Sequence, residues 1–138
     1  MKEVYADTAF FIALVSEADA LHDLAGLLAE EFEADSTTVL VTSDAVLLEF
    51  LSGMSKFGAE ARGKAVSTVQ TLLEDPTALV VPQTRDLVRR ATDLYGDRLD
   101  KQWSGVDCLS MVVMEDRGID DVLTHDHHFT QAGRTILM

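Results

Sequence analysis

Four carboxylates in this 138-residue chain stand out, three by their neighbours and one by its position. Asp7 lies between Tyr5-Ala6 and Ala9-Phe10-Phe11-Ile12. Glu49 sits inside Val46-Leu47-Leu48-Glu49-Phe50-Leu51, and Asp107 between Val106 and Cys108-Leu109 at the opening of an almost wholly apolar stretch. A carboxylate carried into such surroundings costs several kcal/mol unless it is paired, hydrogen-bonded or ligated. Asp126 follows an apolar run that ends at Thr124. Four converging carboxylates repel one another, and a hard divalent cation with oxygen ligands relieves that repulsion. The expected chemistry is therefore that of a divalent metal held by Asp7, Glu49, Asp107 and Asp126.

Each acid also has a plainer reading. Asp7 with Thr8 could cap the first helix, and Ser104-Gly105-Val106-Asp107 has the form of a capping box. Glu49 could face solvent beside an apolar stripe, and Asp126 could be a turn residue. His125, His127 and His128 surround Asp126 and raise zinc as a rival. Neighbours in so short a segment rarely all reach one ion, and no Cys-x-x-Cys or His-Glu-x-x-His accompanies them. P-loop, dinucleotide-binding and nucleophile-elbow motifs are absent. Cys108, in an apolar helix, reads as core rather than nucleophile.

The elements that must position these acids alternate. Strands are expected at 2–6, 38–42, 78–81 and 121–124, with a short fifth at 135–137, from their β-branched and apolar content. Helices are expected at 9–15, 19–34, from Ser43 or Asp44 to near Gly58, 61–73, 84–96 and 104–117. In the fifth of these, Leu87, Val88, Ala91 and Leu94 are read as inward, and Arg85, Arg89 and Arg90 as outward. The alternation predicts an α/β domain whose mainly parallel sheet of four to five strands has helices on both faces. In such sheets ligands bind outside the carboxyl ends of the strands. Asp7 directly follows the first strand and Asp126 the fourth. Glu49 and Asp107 lie in the early turns of helices, so all four can project to one edge.

Composition bounds the rest. A chain of this size can bury roughly two-thirds of its unfolded surface, and no linker or repeat divides it, so residues 1–138 are expected to form a single domain. One cysteine excludes a disulfide framework. The longest apolar run, Ala9 to Val15, is too short for a membrane span or a signal-peptide core, which makes a cytoplasmic protein the expectation. The net charge of −13 is concentrated in residues 1–50, where one lysine faces eleven acids. Phosphate affinity comes from Lys and Arg, so such a chain is a poor generic binder of nucleic acid. A divalent metal would have to mediate, helped by the near-neutral middle segment.

Four segments in order carry a resemblance. They are Asp7-Thr8 after a first strand, Glu49 in Leu47-Leu48-Glu49-Phe50-Leu51, Asp107 in Trp103-Ser104-Gly105-Val106-Asp107-Cys108, and Thr124-His125-Asp126-His127-His128-Phe129. Together they resemble a PIN domain, most closely the VapC-type toxins of type II toxin–antitoxin systems, from Val4 to the C-terminus. One departure is Cys108-Leu109-Ser110-Met111, where many relatives have a small apolar run. The resemblance implies a three-layer α/β/α nuclease domain and a Mg²⁺-dependent ribonuclease, with Mn²⁺ as an alternative ion. It assigns the acidic quartet to Asp7, Glu49, Asp107 and Asp126, with Thr8 as the supporting hydroxyl. RNA phosphates would meet the metal and the basic segment: Lys56, Arg62, Lys64, Arg85, Arg89, Arg90, Arg98 and Lys101.

The resemblance also implies a cognate antitoxin protein. A homodimer is expected as well, because Phe10, Phe11, Phe50, Leu51, Met54 and Phe57 exceed what one helical face usually hides. Some of them are expected to line a dimer surface or a groove for an antitoxin helix, the alternative being core between the second and third helices. Two other functions compete. One is a catalytically silent PIN-like binding module acting only through a protein partner. The other is a phosphoacceptor receiver, which wants paired acids after its first strand and a late lysine, whereas Thr8 follows Asp7 and no lysine follows Lys101.

Overall fold

The computed structural model describes residues 1–138. In chain order it contains β1 (Lys2–Ala6), α1 (Thr8–Val15), α2 (His22–Ala34), β2 (Thr38–Ser43), α3 (Asp44–Met54), α4 (Ala59–Glu74), β3 (Ala78–Val81), α5 (Arg85–Asp97), α6 (Gly105–Arg117), β4 (Asp121–Leu123), α7 (His127–Gln131) and β5 (Thr135–Ile136). The five strands form one sheet in the order β3-β2-β1-β4-β5, and every pairing is parallel. Helices flank it: α1 packs on α2 and α3, α3 on α4 and α6, and α5 on α6.

The central strand explains itself. Val4, Tyr5 and Ala6 are all buried, as a strand covered on both faces requires. Tyr5 is tolerated there because its hydroxyl lies 2.9 Å from Ser110 Oγ and 3.2 Å from Ser43 Oγ, tying β1 to α6 and to the cap of α3. Ser43 Oγ accepts the Val46 N–H and so opens α3. Helix α6 is buried from Asp107 through Met114, the pattern of a helix apolar all round. It ends at Gly118, whose left-handed φ of 66° lets the Ile119 N–H return to the Met114 carbonyl.

Some expectations need correction. Helix α2 starts at His22, not residue 19, because the Asp19 carboxylate accepts the Leu21 N–H and spends itself on the preceding turn. Val88 is 42% exposed rather than inward; Leu87 and Ala91 are the buried residues of α5. The six-residue apolar surface is not one surface. Phe50 and Met54 are core, with the Phe50 ring 5.7 Å from that of Phe11, and Phe57 alone is exposed. Phe10 and Phe11 are also buried, and they form the inner wall of a groove completed by Leu14, Phe32 and Leu72. No helix is long and apolar enough to cross a membrane.

Candidate active site

The strand order reverses direction between β1 and β4. The chain builds outward from β1 through β2 to β3, then returns to place β4 on the other side of β1. The chain therefore leaves β1 and β4 towards opposite edges of the sheet, and open α/β sheets bind ligands at such a switch point. Asp7 follows β1, and its backbone N–H still reaches the Leu123 carbonyl at the end of β4, at 3.2 Å. Thr124 follows β4, fully buried, and its hydroxyl donates to Asp7 Oδ2 at 3.1 Å. The same hydroxyl oxygen accepts the Asp126 N–H at 3.1 Å. One threonine thus spaces two acids.

The other acids are delivered by helix starts. Asp107 is the third residue of α6 and closes a capping box: its N–H donates to Ser104 Oγ and its Oδ2 accepts the Ser104 N–H, both at 3.0 Å. Asp126 caps α7, its Oδ1 accepting the His128 N–H at 2.9 Å. The capping reading of Asp107 is correct, whereas Asp126, read as a turn residue, is a helix cap; both caps fix the carboxylates without consuming them. The partial positive charge at each helix start also favours an anion there. Glu49, half-buried on α3, accepts a 2.5 Å hydrogen bond from the Thr8 hydroxyl at the start of α1.

His128 joins the last two acids. Its Nδ1 lies 2.9 Å from Asp107 Oδ2 and 3.2 Å from Asp126 Oδ1. The three donor atoms lie within 4.8 Å of one another, close enough to share one ion. Asp7 lies outside this trio and is tied to Asp126 through Thr124. It is only 4% exposed, and its Oδ1 is buried with no hydrogen-bond donor. Burial pushes its carboxyl up to about 7; the charges of Asp107 and Glu49 add to this, against the Thr8 N–H and the Thr124 hydroxyl. A buried carboxylate oxygen without a donor, beside two further acids and an imidazole, fits a divalent cation: oxygen-rich, anionic and short of positive charge.

The four acids named from sequence therefore lie at one edge of the sheet, linked through Thr8, Thr124 and His128. Thr124 and His128 went unassigned individually. The only sequence signal for Thr124 was a small polar residue at the end of a buried strand, and His128 was indistinguishable from His125 and His127, which are exposed. The basic residues divide differently. Arg90 is held by both oxygens of Asp116 at 2.5 and 2.6 Å. Lys64 pairs with Glu60, and Lys101 and Arg98 with Asp100; Arg98 also lies over the Trp103 ring. Lys56 stacks on Phe57. Arg62, Arg85 and Arg89 are exposed, and Arg85 opens α5 four residues beyond the end of β3, near the same edge of the sheet.

A parallel α/β sheet with carboxylates gathered at its switch point defines a class of acidic-site α/β folds that includes both phosphoacceptor receivers and nucleases, and known proteins narrow it. The PIN domain model matches residues 4–134, and the chain belongs to that family. It is 26% identical over 130 residues to the 23S rRNA-specific endonuclease VapC20 of Mycobacterium tuberculosis, covering 94% of each chain. The crystal structure of VapC20, described as a sarcin-ricin loop cleaving toxin, superposes with a TM-score of 0.83 at 27% identity over 96% of both chains. FitAcB from Neisseria gonorrhoeae shares the fold at a TM-score of 0.64 and 14% identity, over 98% of this chain and 96% of that one.

Proposed function

We propose that residues 1–138 form a single PIN-like nuclease domain acting as a metal-dependent endoribonuclease, the toxin of a toxin–antitoxin pair. The observation that carries the reading is the convergence of four carboxylates at the switch point, one of them buried with an oxygen that lacks a donor. Likeness to VapC20 along nearly the whole chain supports RNA, and specifically a structured ribosomal RNA, as the substrate. Such a substrate would place its action in the cytoplasm. An antitoxin that blocks the acidic edge is the proposed partner, supported by the VapBC and FitAB assemblies among the structural relatives, and a second copy of the chain is proposed beside it.

Asp7, Asp107 and Asp126 would hold Mg²⁺ or Mn²⁺, with Glu49 as a further ligand or as the group that orients the attacking water. When bound, the ion supplies positive charge for the phosphodiester and makes an activated water available near neutral pH. The protein's own part is placement. The Thr8 hydroxyl fixes the Glu49 carboxylate, leaving its second oxygen to hold a water for attack on the phosphodiester. That water adds to phosphorus as its proton passes to the Glu49 carboxylate, the bond to the leaving oxygen breaks, and the leaving oxygen takes up a proton from solvent. Thr124 keeps Asp7 and Asp126 in register.

The test is incubation of the purified chain with 23S rRNA and with unrelated structured RNAs, with Mn²⁺ or with chelator. A discrete ion-dependent cut that Asp7→Asn abolishes supports the reading. Unchanged RNA under every condition leaves the silent binding module as the better account.

A further inference from the structure

We propose that His128 is a direct ligand of the divalent ion, giving the site one nitrogen among its oxygens and a preference for Mn²⁺ over Mg²⁺. This rests on the reading of the acidic edge as a metal site and goes beyond it in naming the donor set. The first support is distance. Ligands a right angle apart on an octahedral ion with bonds of about 2.1 Å stand about 3.0 Å from each other. Nδ1 of His128 already stands 2.9 Å from Asp107 Oδ2 and 3.2 Å from Asp126 Oδ1. Both distances match ligands on neighbouring corners, and one donor atom from each of the three residues lies within 4.8 Å of the others.

The second support is how the ring is held. His128 follows the Asp126 cap by two residues, and its own N–H donates to Asp126 Oδ1. The backbone that presents the imidazole is thus pinned to the carboxylate it would share an ion with. It is Nδ1 that faces both carboxylates, so the ring already presents a nitrogen to the place an ion would take. His125 and His127, on either side of Asp126, are exposed and take no part in the hydrogen bonds among the acids. Their presence in the sequence hid the one histidine that matters.

The third support is the chemistry of the set. Mg²⁺ holds to oxygen and gives up its waters reluctantly, whereas affinity for sites containing nitrogen rises along the first-row series that begins at Mn²⁺. Carboxylates alone discriminate weakly between the two ions. An imidazole beside them adds affinity for Mn²⁺ that it does not add for Mg²⁺.

The experiment is pulsed EPR on Mn²⁺ bound to the full chain labelled with ¹⁵N-histidine, with Mn²⁺ and Mg²⁺ affinities measured by calorimetry. We expect a ¹⁵N coupling of a directly bound nitrogen, lost in His128→Gln and kept in the His125→Gln/His127→Gln double variant. We also expect His128→Gln to lower Mn²⁺ affinity by about tenfold or more while Mg²⁺ affinity changes much less. Mn²⁺ bound with no nitrogen coupling overturns this inference and leaves the acidic metal site standing, and so does a coupling lost in the double variant. No Mn²⁺ binding at all overturns both. The double variant alters only exposed side chains, so the inference stays testable even where His128→Gln fails to fold.

Discussion

Asp7 is a buried carboxylate with one oxygen that no donor reaches, and its titration gives a measurable sign. Its carboxyl is pushed up to about 7 by burial, from an ordinary value of 3.8. The folded state therefore binds a proton that the unfolded chain has released, and this contribution to stability is present below pH 3.8. It is lost as pH rises towards 7, at about 1.4 kcal/mol for each unit between the two values. Ion-free protein is expected to melt at lower temperature at pH 8 than at pH 5.5 for this reason. Asp7→Asn keeps the shape without the charge, so it should be the more stable protein at pH 8 by roughly 1–3 kcal/mol. Added Mn²⁺ should close that gap by stabilising only the parent. Thermal melts of both proteins with chelator and with Mn²⁺ decide it, and a variant no more stable than its parent at pH 8 counts against the buried, uncompensated charge. Asp7 and Asp107 were readable in sequence because their flanks are apolar. Thr124 was not, because its bond to Asp7 crosses 117 positions and depends on β1 lying beside β4.

Helix starts do most of the positioning, and they differ in how openly the sequence declares them. Ser104-Gly105-Val106-Asp107 is readable as a capping box, and the structure contains one with both bonds made. The start of α2 was misread because Asp19 looks like a cap yet bonds the Leu21 N–H in a turn ahead of the helix. A capping residue and a turn residue use the same side-chain oxygen, so local sequence does not separate them. The capping box leads to a prediction that links stability with activity. Ser104→Ala removes the acceptor for the Asp107 N–H and should cost about 1 kcal/mol in denaturant unfolding. It should also weaken ion binding, because the Asp107 backbone is no longer held at the helix start. Ser104→Thr keeps the hydroxyl and should restore both. If alanine lowers stability but leaves ion affinity at the parental value, the box supports the helix alone and not the site.

At the scale of the whole molecule, the alternation of elements was sufficient to anticipate a parallel α/β sheet with the acids at one edge. The strand order was not, because apolar runs do not state which neighbours they choose. The order 3-2-1-4-5 is what turns four acids at strand ends and helix starts into one cluster, by setting β4 beside β1. The same global view sorts the cations. A chain of net charge −13 that cuts RNA must concentrate what positive charge it has where the substrate lies. Arg90 does not serve that purpose, since both of its terminal nitrogens are bound to Asp116. Arg85 and Arg89, exposed one turn apart at the start of α5, lie on the element that leaves the carboxyl end of β3. Phosphates crossing the acidic edge towards α5 would meet them first. Reversing both, as Arg85→Glu/Arg89→Glu, is expected to weaken RNA binding by tenfold or more near physiological salt. It should also flatten the dependence of log affinity on log salt by about 1–2, one unit for each phosphate contact removed. Arg90→Ala, in contrast, should leave the salt slope unchanged while loosening the contact between α5 and α6. Filter binding of a non-cleavable RNA across a salt series reads both effects. An unchanged slope in the double variant would move the RNA path away from α5.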